Sequence, residues 1–224
     1  MQSKQNPTEH VPAGEFQGWY IATTAPGRGE GSPPGDVPCG SCNACCRSSY
    51  FIHVSPEDSA ARAAIPPELL FDAPGLPGHQ VLGYNERGEC PMLEAGQCSI
   101  YPARPETCRR YDCRVFAATG LTTGDERKLE VDARVRRWRF DLETERARSL
   151  FAQARAAARQ LADAPGAFPA DFVPRNNTQL AMLALELAPA VDLARWDRMS
   201  DTQRAQALIG AAKADATIAS GASA

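Results

Sequence analysis

The chain has 224 residues, a formal net charge of -3 at pH 7 and a pI near 5.7. This length suffices for one substantial domain, or for a small domain with an appendage. The acidic balance argues against a protein that generally seeks nucleic acid or a membrane surface. No apolar run fits a membrane span or a secretory signal, so the sequence predicts a cytoplasmic protein without membrane contact.

Residues 1–36 are predicted to be a disordered leader. The segment is rich in proline and glycine, as in the run from Ser32 to Gly35. Such a composition offers too little apolar surface to offset the entropy lost on ordering.

Short strands and two helices are predicted between residues 37 and 118, which we interpret as a small cysteine-rich domain. Ser55 and Asp58 form a capping box for the first helix, and Arg104-Pro105 opens the second, which Gly120 stops. The expected strands lie at 50–54, 81–84, 90–93 and 98–101, and the expected helices at 56–64 and 104–118.

Residues 119–216 are predicted to be a mainly helical C-terminal region, which makes the fold class α+β. Residues 129–135 alternate apolar and charged side chains, a pattern that favours a strand slightly over a helix. Ser200 and Gln203 form a capping box for the last helix. The helices are expected at 142–163, at 178–187 and from Asp201, and residues 217–224 are expected to form a frayed tail.

All the cysteine of the chain lies in one third of the sequence. In a reducing cytoplasm, clustered cysteines are more typical of metal sites or catalysts than of disulfides. Three of them follow C-x2-C spacing, which forms a compact chelating loop. We therefore predict that all eight are metal ligands: Cys39, Cys42, Cys45, Cys46, Cys90, Cys98, Cys108 and Cys113.

Two pairs of cysteines are predicted to diverge. Cys45 and Cys46 are neighbours, and in extended backbone their side chains would point to opposite sides. Cys108 and Cys113 are five residues apart, which corresponds to about 140° around a continuous helix. The pattern indicates two four-cysteine sites, or one cluster beside a single metal ion, but spacing does not give the division.

The identity of the metal is left open by the ligands, because four thiolates suit both zinc and iron–sulfur clusters. Cys90-Pro91 after the C-x2-C-x2-C run resembles the ferredoxin arrangement and favours iron. The C-x3-C-x2-C signature of radical chemistry is absent. Five arginines are expected to offset the thiolate charge by hydrogen bonding to sulfur: Arg47, Arg104, Arg109, Arg110 and Arg114.

The cysteine region resembles a known family. The residues that carry the resemblance are Cys39-x2-Cys42-x2-Cys45-Cys46-Arg47, Cys90-Pro91-x-Leu93, Cys98-x-Ile100-Tyr101-x2-Arg104-Pro105-x2-Cys108-Arg109 and Tyr111-x-Cys113. This pattern is similar to the CxxCxxCC zinc- or iron-chelating family of YkgJ-type cysteine-cluster proteins. The resemblance implies metal chelation, and many members are labelled iron–sulfur oxidoreductases. A related motif occurs in flagellin lysine N-methylases, but the rest of this sequence does not carry that activity over.

Other candidate residues favour ordinary roles. His53 and His79 have no paired ligand at fixed spacing, so a structural placement is favoured over metal ligation. The basic, aromatic run at 134–140 is surrounded by acidic residues, which favours a solvated face over a nucleic-acid surface. The sequence contains no Ser/His/Asp set, phosphate loop or H-E-x-x-H motif, and whether the protein is an enzyme is left open.

Three functions follow as hypotheses. The leading one is a metal-binding protein that holds iron, as an iron–sulfur cluster, or zinc, and acts in electron transfer, metal handling or support of a partner enzyme. The second is an enzyme of protein modification, resembling a methylase, that the metal site assists. The third is an interaction module with purely structural zinc, which contacts an unidentified protein partner.

Overall fold

The structure is a computed structural model that describes residues 9–25, 37, 39 and 41–221, with side chains up to residue 214. Its strands are β1 Val11–Glu15, β2 Ile52–Val54, β3 Leu70–Asp72, β4 Gln80–Leu82, β5 Leu93–Glu94, β6 Gln97–Cys98 and β7 Trp138–Asp141. Its helices are α1 Phe16–Thr24, α2 Ser59–Ala64, α3 Glu106–Arg110, α4 Arg114–Thr119, α5 Leu129–Arg137, α6 Glu145–Asp163, α7 Asn177–Leu187, α8 Leu193–Trp196 and α9 Asp201–Gly221. The fold class is α+β, as the sequence predicts.

The chain divides into two compact units whose boundaries differ from the predicted ones. The helical unit takes its described residues from 9–25, 114–123 and 137–221, and the cysteine unit from 37–113 and 124–136. Residues 114–118, expected in the cysteine domain, belong to the helical unit, and 124–136 belong to the cysteine unit. Each unit is therefore assembled from separated parts of the chain.

The predicted disordered leader is wrong for the part of it that the structure describes. β1 pairs in parallel with β7, and α1 buries Phe16 completely. The Phe16 ring packs edge-to-face on Phe140 at 5.1 Å and on Phe151 at 5.2 Å between ring centroids. The aromatic side chains of α1 supply apolar surface for burial, which the average composition of residues 1–36 does not indicate. Residues 1–8 and 26–36 lie outside the described part of the chain.

The core of the helical unit is built around α6, α7 and α9. Thr144 caps α6 because its hydroxyl accepts the Ala147 N–H at 3.0 Å, and the alanine-rich face of α6 lets its neighbours approach closely. The predicted capping box of α9 is confirmed: the Ser200 N–H donates to Gln203, and the Gln203 N–H donates to Ser200. α9 continues to Gly221, into the segment 217–224 for which a frayed tail is expected, and 222–224 lie outside the described residues. Across the described residues, every helix is too short or too polar to span a membrane.

The cysteine unit is made of short elements. Its sheet is antiparallel in the order β2-β4-β3, and β5 and β6 form a separate hairpin. The strand expected at 129–135 is wrong, because this segment forms α5. Val131 and Val135, four residues apart, are both buried on one face of that helix, and Asp125 accepts the Arg127 N–H in the turn before it.

The docking of α1 predicts a large effect of truncating Phe16. Phe16→Ala removes a completely buried ring and should lower the free energy of unfolding of the helical unit by about 3 to 5 kcal/mol. Denaturant unfolding followed by tryptophan fluorescence measures this. The matched control is Ile21→Ala, because Ile21 lies on the same helix but is 57% exposed and should change stability by about 0.5 kcal/mol or less. Equal effects of the two substitutions would contradict the docking.

Candidate functional site

One cavity of the cysteine unit has a volume of about 410 Å³ and is lined by every cysteine of the chain. All eight thiols are free of disulfides. Among the residues that the structure describes, no three or more His, Cys, Asp or Glu side chains are grouped closely enough to hold a metal ion. The thiols instead surround a shared space, the cavity that all of them line. The cysteines that line it are Cys39, Cys42, Cys45, Cys46, Cys90, Cys98, Cys108 and Cys113.

The first four cysteines lie on a loop of tight turns. The Cys42 N–H donates to the Cys39 carbonyl at 2.9 Å, and the Cys46 N–H donates to the Asn43 carbonyl at 2.9 Å. The Asn43 side chain donates to the Gly96 carbonyl at 2.9 Å, which ties this loop to the hairpin of β5 and β6. The loop is thus held against the part of the unit that carries Cys98.

The expected divergence of Cys45 and Cys46 rests on a wrong premise. Residues Cys45–Arg47 form a 3-10 turn and are not extended. The two thiols are hydrogen-bonded to each other, and this bond raises the pKa of Cys45 well above its ordinary value. The same bond lowers the pKa of Cys46 to about 7, and Arg47 contributes to the lowering. The pair therefore holds one negative charge at neutral pH more readily than an isolated thiol would.

Cys90 and Cys98 are brought to the cavity by a short hairpin. The Cys90 N–H donates to the Cys46 carbonyl at 2.7 Å, and the Leu93 N–H donates to the Cys90 carbonyl at 2.9 Å. Leu93 pairs with Cys98 across the hairpin. Its turn requires positive φ at Gly96, +82°, a conformation that glycine adopts without a Cβ clash.

Cys108 and Cys113 do not share a helix, so the predicted continuous helix at 104–118 is wrong. α3 ends at Arg110 because Tyr111 has extended backbone angles, and α4 begins only after Cys113. The angle of about 140° that a continuous helix would impose does not apply. Gly120, at φ +77°, does end α4 as predicted.

Asp58 fixes the start of α3. Its Oδ1 accepts the Glu106 N–H at 2.8 Å, while its Oδ2 accepts the Ser55 N–H at 3.0 Å and the Ser55 hydroxyl at 3.2 Å. Arg109 lies 3.6 Å from Oδ1, and only 4% of the Asp58 side chain is exposed. The predicted capping box forms only in part, because Asp58 accepts from Ser55 while the Asp58 N–H donates to the Ser55 carbonyl and not to its hydroxyl. The helix itself begins at Ser59 and not at Pro56 as predicted. Asp58 instead caps the helix that carries Cys108.

The thiols in the apolar part of the cavity are difficult to ionise. Burial raises the pKa of Cys90 to about 11 and that of Cys108 to about 12. Burial also raises the pKa of Cys98. The charge of Cys46 raises all three further, which shows that these four sulfurs are electrostatic neighbours. A bound cation would reverse this effect because a coordinated thiol is deprotonated.

The structure pairs two tyrosines beside the cysteines, and the sequence does not predict this pair. The hydroxyls of Tyr50 and Tyr111 are 2.8 Å apart, and Lys128 lies 4.4 Å from the Tyr50 ring centroid. Burial raises the pKa of Tyr50 to about 12 and that of Tyr111 above its usual range. The charges of Cys45 and Cys113 raise the pKa of both tyrosines further. Tyr111 belongs to the recognised motif, but nothing in the spacing pairs it with Tyr50.

The five arginines expected around the thiolates have different surroundings. Arg104 lines the cavity, lies 3.8 Å above the Tyr101 ring and lowers the pKa of Cys98 and Cys108. The others have these contacts: Arg47 with Glu89 at 3.5 Å, Arg109 with Asp58 at 3.6 Å, Arg110 with Glu106 at 3.4 Å, and Arg114 with the Ala13 carbonyl at 2.9 Å. Arg104 and Arg47 are thus two members of the group whose charge acts on the thiols.

The other candidate side chains lie elsewhere. His53 Nε2 and His79 Nδ1 are 2.8 Å apart with stacked rings, and neither histidine lines the cysteine cavity. In the basic run at 134–140, Trp138 is buried, and Phe140 packs on Trp19 at 4.6 Å between centroids. The expectation of a solvated face is therefore wrong for its aromatic residues, which belong to the core of the helical unit.

These features define a cysteine-rich metal-binding domain, because free thiols in this number around a shared space are the donor set of zinc and iron–sulfur sites. Residues 38–128 match the CxxCxxCC family model, described as a "Putative zinc- or iron-chelating domain". The matched segment includes all eight cysteines. Comparison with curated proteins and with solved structures finds no match.

The role of Asp58 predicts a loss of stability on its removal. Asp58→Ala leaves the Ser55 and Glu106 N–H groups without their acceptor and should lower the free energy of unfolding of the cysteine unit by about 1 to 3 kcal/mol. Denaturant unfolding followed by circular dichroism under anaerobic, reducing conditions measures this. Glu68→Ala, at an exposed carboxylate, is the control. A change in Asp58→Ala no larger than in this control would contradict the capping role.

Proposed function

We propose that the cysteine cavity binds iron as an iron–sulfur cluster and that the protein transfers electrons through it. The observation that carries the proposal is the convergence of eight free thiols on one cavity of about 410 Å³. Cysteine thiolates are the ligands by which proteins hold iron–sulfur clusters. The chelation of zinc or iron is the description of the matched family, and the choice of an iron–sulfur cluster is our inference.

The size of the cavity supports a cluster over a single zinc ion. Zinc binds its thiolates at about 2.3 Å and leaves no room between the metal and its ligands. One water molecule needs only about 10 to 15 Å³ of such space, so a cavity of about 410 Å³ is far larger than a closed zinc site requires. An iron–sulfur cluster occupies more of this space because it brings inorganic sulfide together with iron.

The exposure of the ligands supports electron transfer. An iron–sulfur cluster supplies a reversible one-electron couple whose potential depends on charge, hydrogen bonding and exposure. Cys45 is exposed, and Cys39 and Cys42 are half-buried. Part of the ligand set is therefore accessible to an electron donor or acceptor, while buried Cys90 and Cys113 anchor the other part in the fold.

In this proposal, positive charge near the thiols stabilises the reduced state of the bound cluster. Thiolate ligands accumulate negative charge, and reduction of the bound group adds more. The Arg104 guanidinium lines the cavity and acts on Cys98 and Cys108. Arg104 therefore stabilises the reduced, more negative state.

Anaerobic purification with metal and sulfide analysis tests the proposal. We expect iron, acid-labile sulfide and a broad visible absorption that dithionite bleaches and air restores. Colourless protein with stoichiometric zinc would contradict the iron–sulfur cluster and favour a structural or metal-handling role. A cluster that binds but cannot be reduced and reoxidised reversibly would contradict electron transfer while leaving the cluster intact.

Removal of the Arg104 charge should lower the reduction potential. Arg104→Gln is expected to shift the potential down by on the order of tens of millivolts, since a partly screened unit charge near the site is worth about 1 kcal/mol. A spectroelectrochemical titration measures the shift. Arg110→Gln is the matched control, because Arg110 is exposed on α3 and lies beside Glu106. Equal potentials in Arg104→Gln and the unmodified protein would contradict this role.

A further inference from the structure

One subset of the cysteines shares an apolar cluster. Cys90 is buried in this cluster together with side chains from β2, α2 and β4, such as Val54 and Leu82. The partly buried residues packed against it include Cys46, Cys98 and Cys108. The described members of the cluster do not include Cys39, Cys42, Cys45 or Cys113.

Backbone contacts hold this first subset together. The Cys90 N–H donates to the Cys46 carbonyl at 2.7 Å, although the two residues are far apart in the sequence. Cys98 pairs with Leu93, whose N–H donates to the Cys90 carbonyl at 2.9 Å. Cys108 is positioned by α3, whose first turn is held by Asp58.

The remaining four cysteines have a different common environment. Cys39 and Cys42 are joined by a backbone hydrogen bond of 2.9 Å. Cys45 lies at the boundary between the subsets, because its thiol interacts with Cys46 and Cys108 of the first subset as well as with Cys39. Cys113 follows Tyr111 by two residues, and the Tyr111 hydroxyl lies 2.8 Å from the hydroxyl of Tyr50, which brings this part of the chain to the segment that follows the cysteine loop. This second subset lies on loops: the cysteine loop before β2 and the connection between α3 and α4.

We infer that the eight cysteines form two ligand sets, each of which binds its own thiophilic metal centre. The core set is Cys46, Cys90, Cys98 and Cys108, and the loop set is Cys39, Cys42, Cys45 and Cys113. The sets meet at the Cys45–Cys46 hydrogen bond. This inference rests on the proposed ligation of metal by the thiols and adds the division between sites that the spacing does not give.

The division differs from the one that sequence order suggests. A sequential division would place Cys39, Cys42, Cys45 and Cys46 in one site and the other four in the second. The structure exchanges Cys46 and Cys113 between these groups, because Cys46 packs with Cys90 in the apolar cluster, whereas Cys113 lines the cavity but is not among the described members of that cluster. Pairs of substitutions that include these residues distinguish the two divisions.

Titration of the metal-free full chain with Co²⁺ under anaerobic, reducing conditions tests the inference. Cobalt reports thiolate ligation by its absorption, and it does not depend on sulfide or on redox activity. The unmodified chain should bind two tight equivalents of Co²⁺.

The double variant Cys46→Ser with Cys90→Ser damages only the core set and should keep one tight equivalent. Cys45→Ser with Cys46→Ser damages both sets and should keep none, whereas the sequential division predicts the reverse for these two variants.

A second double variant tests the inference if Cys46→Ser with Cys90→Ser fails to fold. Cys39→Ser with Cys113→Ser lies wholly in the loop set, avoids the apolar cluster and should keep one tight equivalent. Far-UV circular dichroism identifies variants that retain the fold. If the unmodified chain binds two ions but Cys45→Ser with Cys46→Ser keeps one, the division is overturned and the proposed ligation stands. If the unmodified chain binds only one ion, the two-site inference is overturned and the proposed ligation by thiolates stands. If it binds none, both the two-site inference and the proposed ligation are overturned.

Discussion

The cysteine unit depends on one constraint: thiols from widely separated segments must reach a common cavity on elements too short to be stable alone. Its strands have two or three residues, and α3 has five. Isolated helices and hairpins of this length are marginal in water. Specific polar contacts therefore position the ligands, above all the Cys90 N–H to Cys46 carbonyl bond and the Asp58 cap on α3. Metal binding would add a stabilisation that the small apolar cluster does not supply.

The two units differ in the side chains that they bury. The helical unit buries its apolar side chains in a conventional core of α6, α7 and α9. The cysteine unit instead devotes much of its interior to thiols, whose raised pKa values reflect their burial. Its stability and its ligand chemistry are thus coupled, since the groups that line the cavity also form part of its core.

Local signals in the sequence predicted much of the fold. The Ser200–Gln203 box, the α6 periodicity and the strand at β2 depend on near neighbours, and the structure contains all three. The signals that failed were those that tertiary packing overrides. Residues 129–135 alternate like a strand but form α5, because Val131 and Val135 also fit one face of a helix. Residues 11–24 are ordered because Phe16 packs on rings from β7 and α6, which no local pattern could indicate.

For the candidate site, composition identified the residues that converge, and spacing failed to give their geometry. The clustering of eight cysteines was sufficient to predict a shared thiol site, and all eight line one cavity. Their division depends on details that spacing does not encode: the 3-10 turn at Cys45 and the break between α3 and α4 at Tyr111. The tyrosine pair was missed for the same reason, because Tyr50 and Tyr111 meet only in three dimensions.

The central claim is that all eight thiols form one metal-binding system. Alkylation of the metal-loaded, anaerobically purified protein, with the modified cysteines counted by mass spectrometry, tests it most directly. We predict that none of the eight is alkylated while metal is bound and that all eight are alkylated after chelation and unfolding. Rapid alkylation of several cysteines in the loaded protein, with the metal still in place, would contradict the claim.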